Sequence, residues 1–180
     1  MRRMNVKPII AITAMAAALL GSGMAMAQSG VSALKGHDSK APIDLAADRA
    51  EAQDRADRAI FAGNVVIKQG ELTMRTARLT LAYANTSGKL DINRIDASGG
   101  VTVVSPSETA RGDFAVYDLN QKLITMVGNV RLDRAGSYLN GGRLTIDLDT
   151  GRAVMDGGQR GANNQSVGRV TGRFTVAQRN

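Results

Sequence analysis

The sequence predicts an all-β fold assembled from repeated short strands. Three observations carry that prediction: runs in which apolar and polar residues alternate, turn-forming residues between those runs, and glycine-led segments that recur along the chain.

The first residues precede the fold. Met1 to Lys7 is basic, Ile9 to Leu20 is apolar, and Ala25-Met26-Ala27 carries small residues at the positions a signal peptidase accepts. The apolar run is shorter than the roughly 20 residues of a spanning helix. Residues 1–27 therefore read as a signal peptide cleaved after Ala27, giving an exported chain. Residues 28–41 are small and polar and read as a flexible leader, with the chain's single histidine, His37, as a solvated loop residue. From Pro42 the texture becomes that of strands, up to about residue 158. Residues 159–180 form a basic end, either a loose tail or, from Val167 to Val176, a last strand.

The net charge of +7 sits outside the central region. Arg2, Arg3 and Lys7 supply part of it, and Arg160, Arg169, Arg173 and Arg179 the rest. Acids and bases cancel between Gln28 and Asp156. With no tryptophan and 3% aromatic residues, there is little to stack on bases, and nucleic acid is not an expected partner.

Period-2 alternation places Val65-Val66-Ile67, Leu72-Thr73-Met74, Leu79-Thr80-Leu81, Leu90-Asp91-Ile92 and Val101-Thr102-Val103 on strands. Phe114-Ala115-Val116, Val130-Arg131-Leu132 and Leu144-Thr145-Ile146 follow the same pattern. Turns are predicted at Asn85 to Gly88, Ser98-Gly99-Gly100, Ser105-Pro106-Ser107, Asn140-Gly141-Gly142 and Asp149-Thr150-Gly151. Leu45 to Ala59, rich in Ala, Asp, Arg and Glu, would pass alone as a helix; its match to later units favours strand. The glycine-led units begin at Gly63, Gly100 and Gly128, a period near thirty that indicates stacked β units, each leaving an apolar face for its neighbour. Such a stack ends in unpaired edges.

Catalytic chemistry is not expected. There is no cysteine, so no thiol nucleophile, disulfide or zinc cluster, and no histidine pairs with a serine. The Asp147/Asp149 pair and the Asp54/Asp57 cluster near Arg55 and Arg58 read as solvated surface charge. No cofactor, metal site or catalytic residue is predicted.

Pro42-Ile43-Asp44-Leu45-Ala46-Ala47-Asp48, Phe61-Ala62-Gly63-Asn64-Val65-Val66-Ile67, Ala77-Arg78-Leu79, Ala110-Arg111-Gly112-Asp113-Phe114 and Val127-Gly128-Asn129-Val130 together resemble the OstA-like N-terminal domain family, over residues 42–158. The resemblance implies an open, twisted antiparallel β-jelly roll in the periplasm, a carrier and bridge moving lipopolysaccharide from the inner to the outer membrane. It implies lipid A acyl chains held in an apolar groove. It also implies strand-edge pairing with an LptC-like inner-membrane protein, an LptD-like outer-membrane protein and further copies of the chain, head to tail. By inward parity the groove lining would be Val65, Ile67, Met74, Leu79, Leu81, Leu90, Ile92, Val101, Val103, Phe114, Val116, Val130, Leu132, Leu144 and Ile146. The alternation alone does not separate such a groove from an ordinary closed core, which without the resemblance is the favoured reading, and the alternative function is an edge-polymerising structural scaffold that binds no lipid.

Overall fold

The computed structural model describes residues 37–86, 89–158 and 168–176. The expected signal peptide, most of the expected leader and part of the basic end lie outside them. The strands are β1 (Ile43–Ala46), β2 (Arg49–Gln53), β3 (Arg58–Gln69), β4 (Leu72–Thr86), β5 (Lys89–Val104), β6 (Thr109–Asp118), β7 (Leu123–Arg134), β8 (Ser137–Asp147), β9 (Arg152–Asp156) and β10 (Thr171–Arg173). All pair antiparallel in one sheet of ten strands that does not close on itself. The run from Leu45 is mostly strand, broken at Ala47-Asp48 and by a 3-10 turn at Asp54–Ala56.

Each long strand is bent near its middle. The register shifts between Ala62 and Val65, Thr76 and Arg78, Ser98 and Val101, Arg111 and Phe114, and Val127 and Val130. Bulges of this kind bend a strand and tighten its twist. Here they line up across the sheet and fold it into two half-sheets. One half runs from β1 to β10, and the other from β2 to β9. Gly99-Gly100 and Gly141-Gly142, predicted as turns, lie instead inside the continuous strands β5 and β8. Glycine satisfies a bulge as well as a turn, and local composition does not separate the two.

Two bulges share one clamp. Gly63 and Gly128 have φ of +79° and +80°, and Asn64 and Asn129 follow at +45° and +46°. Asn64 Nδ2 donates to Asp48 Oδ2 at 2.9 Å, and Asn129 Nδ2 donates to Asp113 Oδ2 at 2.8 Å. A Cβ at either glycine would run into that aspartate. Asp48 and Asp113, Gly63 and Gly128, and Asn64 and Asn129 each stand 65 residues apart. The period near thirty is thus half of a larger structural repeat. β1 with β2, β3, β4 and β5 form the first unit; β6, β7, β8 and β9 with β10 form the second. The opening strand is split in the first unit and the closing strand in the second.

The core lies between the halves. Val65, Ile67, Met74, Val103 and Leu132 from the β1 half meet Leu79, Ile95, Ile124, Met126, Leu144 and Ile146 from the other in one buried cluster. Each such side chain contributes about 1.5–3 kcal/mol on burial.

Candidate functional site

The inner faces of the half-sheets share one apolar interior, with main-chain pairing along the bulge line and, among the described residues, a Tyr117–Gln69 side-chain contact across the opposite margin. Of the residues assigned inward, Val65, Ile67, Met74, Leu79, Leu81, Val101, Val103, Val130, Leu132, Leu144 and Ile146 are buried together, and Ile92 packs half-buried against them. The other three differ. Leu90 pairs with Asn85 near the end of the β4–β5 hairpin, where it is 69% exposed. Phe114 is 54% exposed, and Val116 shares its outward parity; Ala115 and Tyr117 take the inner positions. Asp113 is the cause. Its side chain turns over the Gly128 backbone to reach Asn129, which uses one position of the alternation and reverses the faces beyond it.

Sequence reasoning passed over the polar groups at the margin. The Tyr117 hydroxyl, on the β2 half, donates to Gln69 Oε1, on the β1 half, at 2.9 Å. Gln69 Nε2 donates to the Ser39 and Ala41 carbonyls at 2.9 and 3.1 Å, and His37 Nε2 lies 3.2 Å from Gln69 Oε1. His37 is therefore half-buried against the margin, not a solvated loop residue. Burial pushes the Tyr117 phenol up to about 12, so the hydroxyl remains a donor at neutral pH. The one signal for this tie was a glutamine at an inward position, Gln69, two residues past Ile67.

Glu108 is the second marginal group. It closes the Ser105–Glu108 turn, in which Ser105 N donates to the Glu108 carbonyl at 2.9 Å. The residue is 6% exposed. Neither carboxylate oxygen accepts a hydrogen bond, although Arg134 Nη1 lies 3.4 Å from Oε1, close enough for attraction. Burial raises the Glu108 pKa and Arg134 pulls it part of the way back. A carboxyl raised in the folded state gains stability as pH falls through its folded value and levels off below its unfolded one. Glu108→Gln should thus stabilise the protein by about 1 kcal/mol near pH 8, and the gain should fade toward about pH 4. Urea denaturation of both proteins at the two pH values checks this.

Around Val103 and Leu132 the interior is tightly packed. The void bounded by Val103, Glu108, Ala110, Leu132 and Ile146 holds about 10 Å³. A larger hollow of about 300 Å³ opens beside β10, lined by Leu132, Tyr138, Leu139 and Phe174 with Arg134 at its rim. Among the described residues, no three His, Cys, Asp or Glu side chains are grouped to hold a metal ion, and no helix is long and apolar enough to cross a membrane.

Comparison with known proteins agrees with this architecture. Residues 44–152 match the family described as LptA/(LptD N-terminal domain) LPS transport protein. An uncharacterized protein of Rhizobium meliloti is 31% identical over 169 residues, covering 85% of this chain and 90% of its own. The LPS-assembly protein LptD of Yersinia enterocolitica is 28% identical over 88 residues, 48% of this chain but 11% of that much longer one. Among solved structures, LptH of Pseudomonas aeruginosa, described as the LptA homologous periplasmic component of the lipopolysaccharide transport device, superposes with a TM-score of 0.66. It covers 78% of this chain and 99% of its own at 19% identity, a likeness of fold. The chain belongs to the LptA/LptD N-terminal-domain family of lipopolysaccharide transport proteins.

Proposed function

We propose that this protein, exported to the periplasm after cleavage at Ala27, carries lipopolysaccharide between the membranes by sheltering its acyl chains between the two half-sheets. The observation that supports the reading is the trough: a single apolar interior shared by two halves that meet along one margin through side chains, chiefly the Tyr117–Gln69 hydrogen bond. An acyl chain of a dozen methylenes resists water by about 10 kcal/mol, at about 0.8 kcal/mol per methylene. When the halves part around it, lipid–protein contact replaces protein–protein contact of the same apolar kind, so loading needs no covalent step. Those contacts are non-directional, which lets the passenger slide. LptC-like and LptD-like proteins would meet the split strands at the two ends by strand addition.

A photo-crosslinker placed at Leu81, on the inner face, should capture lipopolysaccharide in cells. The same group at Thr80 or Phe114, on the outer face, should not. Equal capture from both faces would defeat the trough. The tight packing around Val103, Ala110 and Leu132 favours a second reading, an edge-pairing scaffold that carries no lipid. Purified protein that assembles with rising concentration, ignores added lipopolysaccharide and binds none would establish it.

A further inference from the structure

The two units differ at one buried position that the fold alone does not explain. In the first, Ile43 pairs with Gln69 and packs half-buried against the core. Gln69 is fully engaged there, by the Tyr117 hydroxyl and by the Ser39 and Ala41 carbonyls. The counterparts 65 residues on are Glu108 and Arg134. The Glu108 side chain is 4% exposed, neither of its oxygens accepts a hydrogen bond, and Arg134 Nη1 stands 3.4 Å away. Burying a carboxylate without donors is costly. Ile43 shows that the same place in the fold accepts an apolar side chain, so the acid is not there for packing. A buried polar group left unsatisfied needs another reason.

Glu108 lines a hollow of about 360 Å³ between the β5–β6 and β7–β8 turns, with Ser107, Arg131, Asp133, Arg134 and Ser137 around it. That volume falls within the roughly 300–1,000 Å³ of small-molecule sites. The apolar hollow beside β10 adjoins it, and the two share Arg134, Ala135, Ser137 and Tyr138.

We propose that the two hollows form a seat for an amphiphile with a neutral, hydroxyl-rich head: a sugar on Glu108 and Arg134, its alkyl chain on Leu132, Leu139 and Phe174. Charge selects the head. Glu108 and Asp133 stand against Arg131 and Arg134, so the lining offers no net charge to hold an ion. Asp133 already accepts from Arg111 and Arg131, and the Arg131 guanidinium lies 4.1 Å over the Tyr138 ring. What remains is a carboxylate short of donors beside a guanidinium able to donate. A hydroxyl donates to the first and accepts from the second. An anionic head would face Glu108, and a cationic one would face Arg134. The seat rests on the carrier reading for its natural occupant, the sugar end of the passenger.

Octyl glucoside, titrated into the mature protein below its micelle concentration and followed by amide chemical shifts, tests the seat. The shifts should centre on Ser107, Ser137 and Tyr138. Octyl sulfate and octyltrimethylammonium change the head, and methyl glucoside removes the tail; each should bind at least about tenfold more weakly. Glu108→Gln should weaken octyl glucoside by about tenfold, the loss of a hydrogen bond to a charged group. Glu108→Ile, which copies the first unit and should therefore fold, should weaken it at least as much. Equal affinity for the three octyl compounds, for octyl and methyl glucoside, or for the parent and Glu108→Ile would overturn the seat. Lipopolysaccharide binding, measured on the parent, keeps the two ideas apart. Selective binding of octyl glucoside by a protein that binds no lipopolysaccharide rejects only the carrier reading; lipopolysaccharide binding without any preference among the heads rejects only the seat.

Discussion

Bridging position 69 to position 117 should stop lipopolysaccharide from loading. Gln69 and Tyr117 belong to different half-sheets and touch across the open margin. In a Gln69→Cys/Tyr117→Cys protein, a short bis-maleimide linker replaces that hydrogen bond with a covalent strap. The apparent affinity of a protein scales with the fraction of it able to bind, so removing the parted state should weaken lipopolysaccharide binding by about tenfold or more. The unbridged double variant should load faster than the parent, because its halves have lost their tie. Val66→Cys/Arg75→Cys, cross-strand neighbours within one half, should bind normally whether bridged or not. Undiminished loading of the 69–117 bridged protein would mean that lipid takes a route that does not require the halves to separate.

Gly128→Val should be the most damaging single change along the bulge line, lowering stability by about 3 kcal/mol or more. Two costs combine. The backbone there has φ of +80°, which a β-branched residue adopts only under strain. The new Cβ would also drive into Asp113 and release its hydrogen bond to Asn129. Adding Asp113→Gly should recover the steric part and leave the backbone part. Urea denaturation of the single and double variants separates the two; a loss below about 1 kcal/mol for Gly128→Val would show that the bulge relaxes freely.

The alternation of Val65, Ile67, Met74, Leu79 and Leu81 was legible because each lies on a stretch of strand with unbroken period. Phe114 and Val116 were misassigned for a different reason. Bulk and apolarity at those positions pointed inward, while the inner face there is occupied by a small residue, Ala115, and an amphipathic one, Tyr117. A parity break is invisible when the residue responsible, Asp113, looks like ordinary turn or surface chemistry. It could have been found from the repetition itself: Asp48 precedes Gly63-Asn64 by the same interval as Asp113 precedes Gly128-Asn129. The Tyr117–Gln69 tie joins residues 48 positions apart. Its pairing depends on how the folded sheet closes, which no local window reports.

The division of the terminal strands has a mechanical outcome. An ordinary flat edge lets an incoming strand slide, because each two-residue step presents the same hydrogen-bonding pattern. Here the edge is a pair of short rails, Ile43–Ala46 and Arg49–Gln53, held at a fixed offset by the clamp at Asp48, Gly63 and Asn64. A newcomer that seats on one rail out of step misses the other. A strand added to this edge would therefore need a kink at the matching place to seat on both rails.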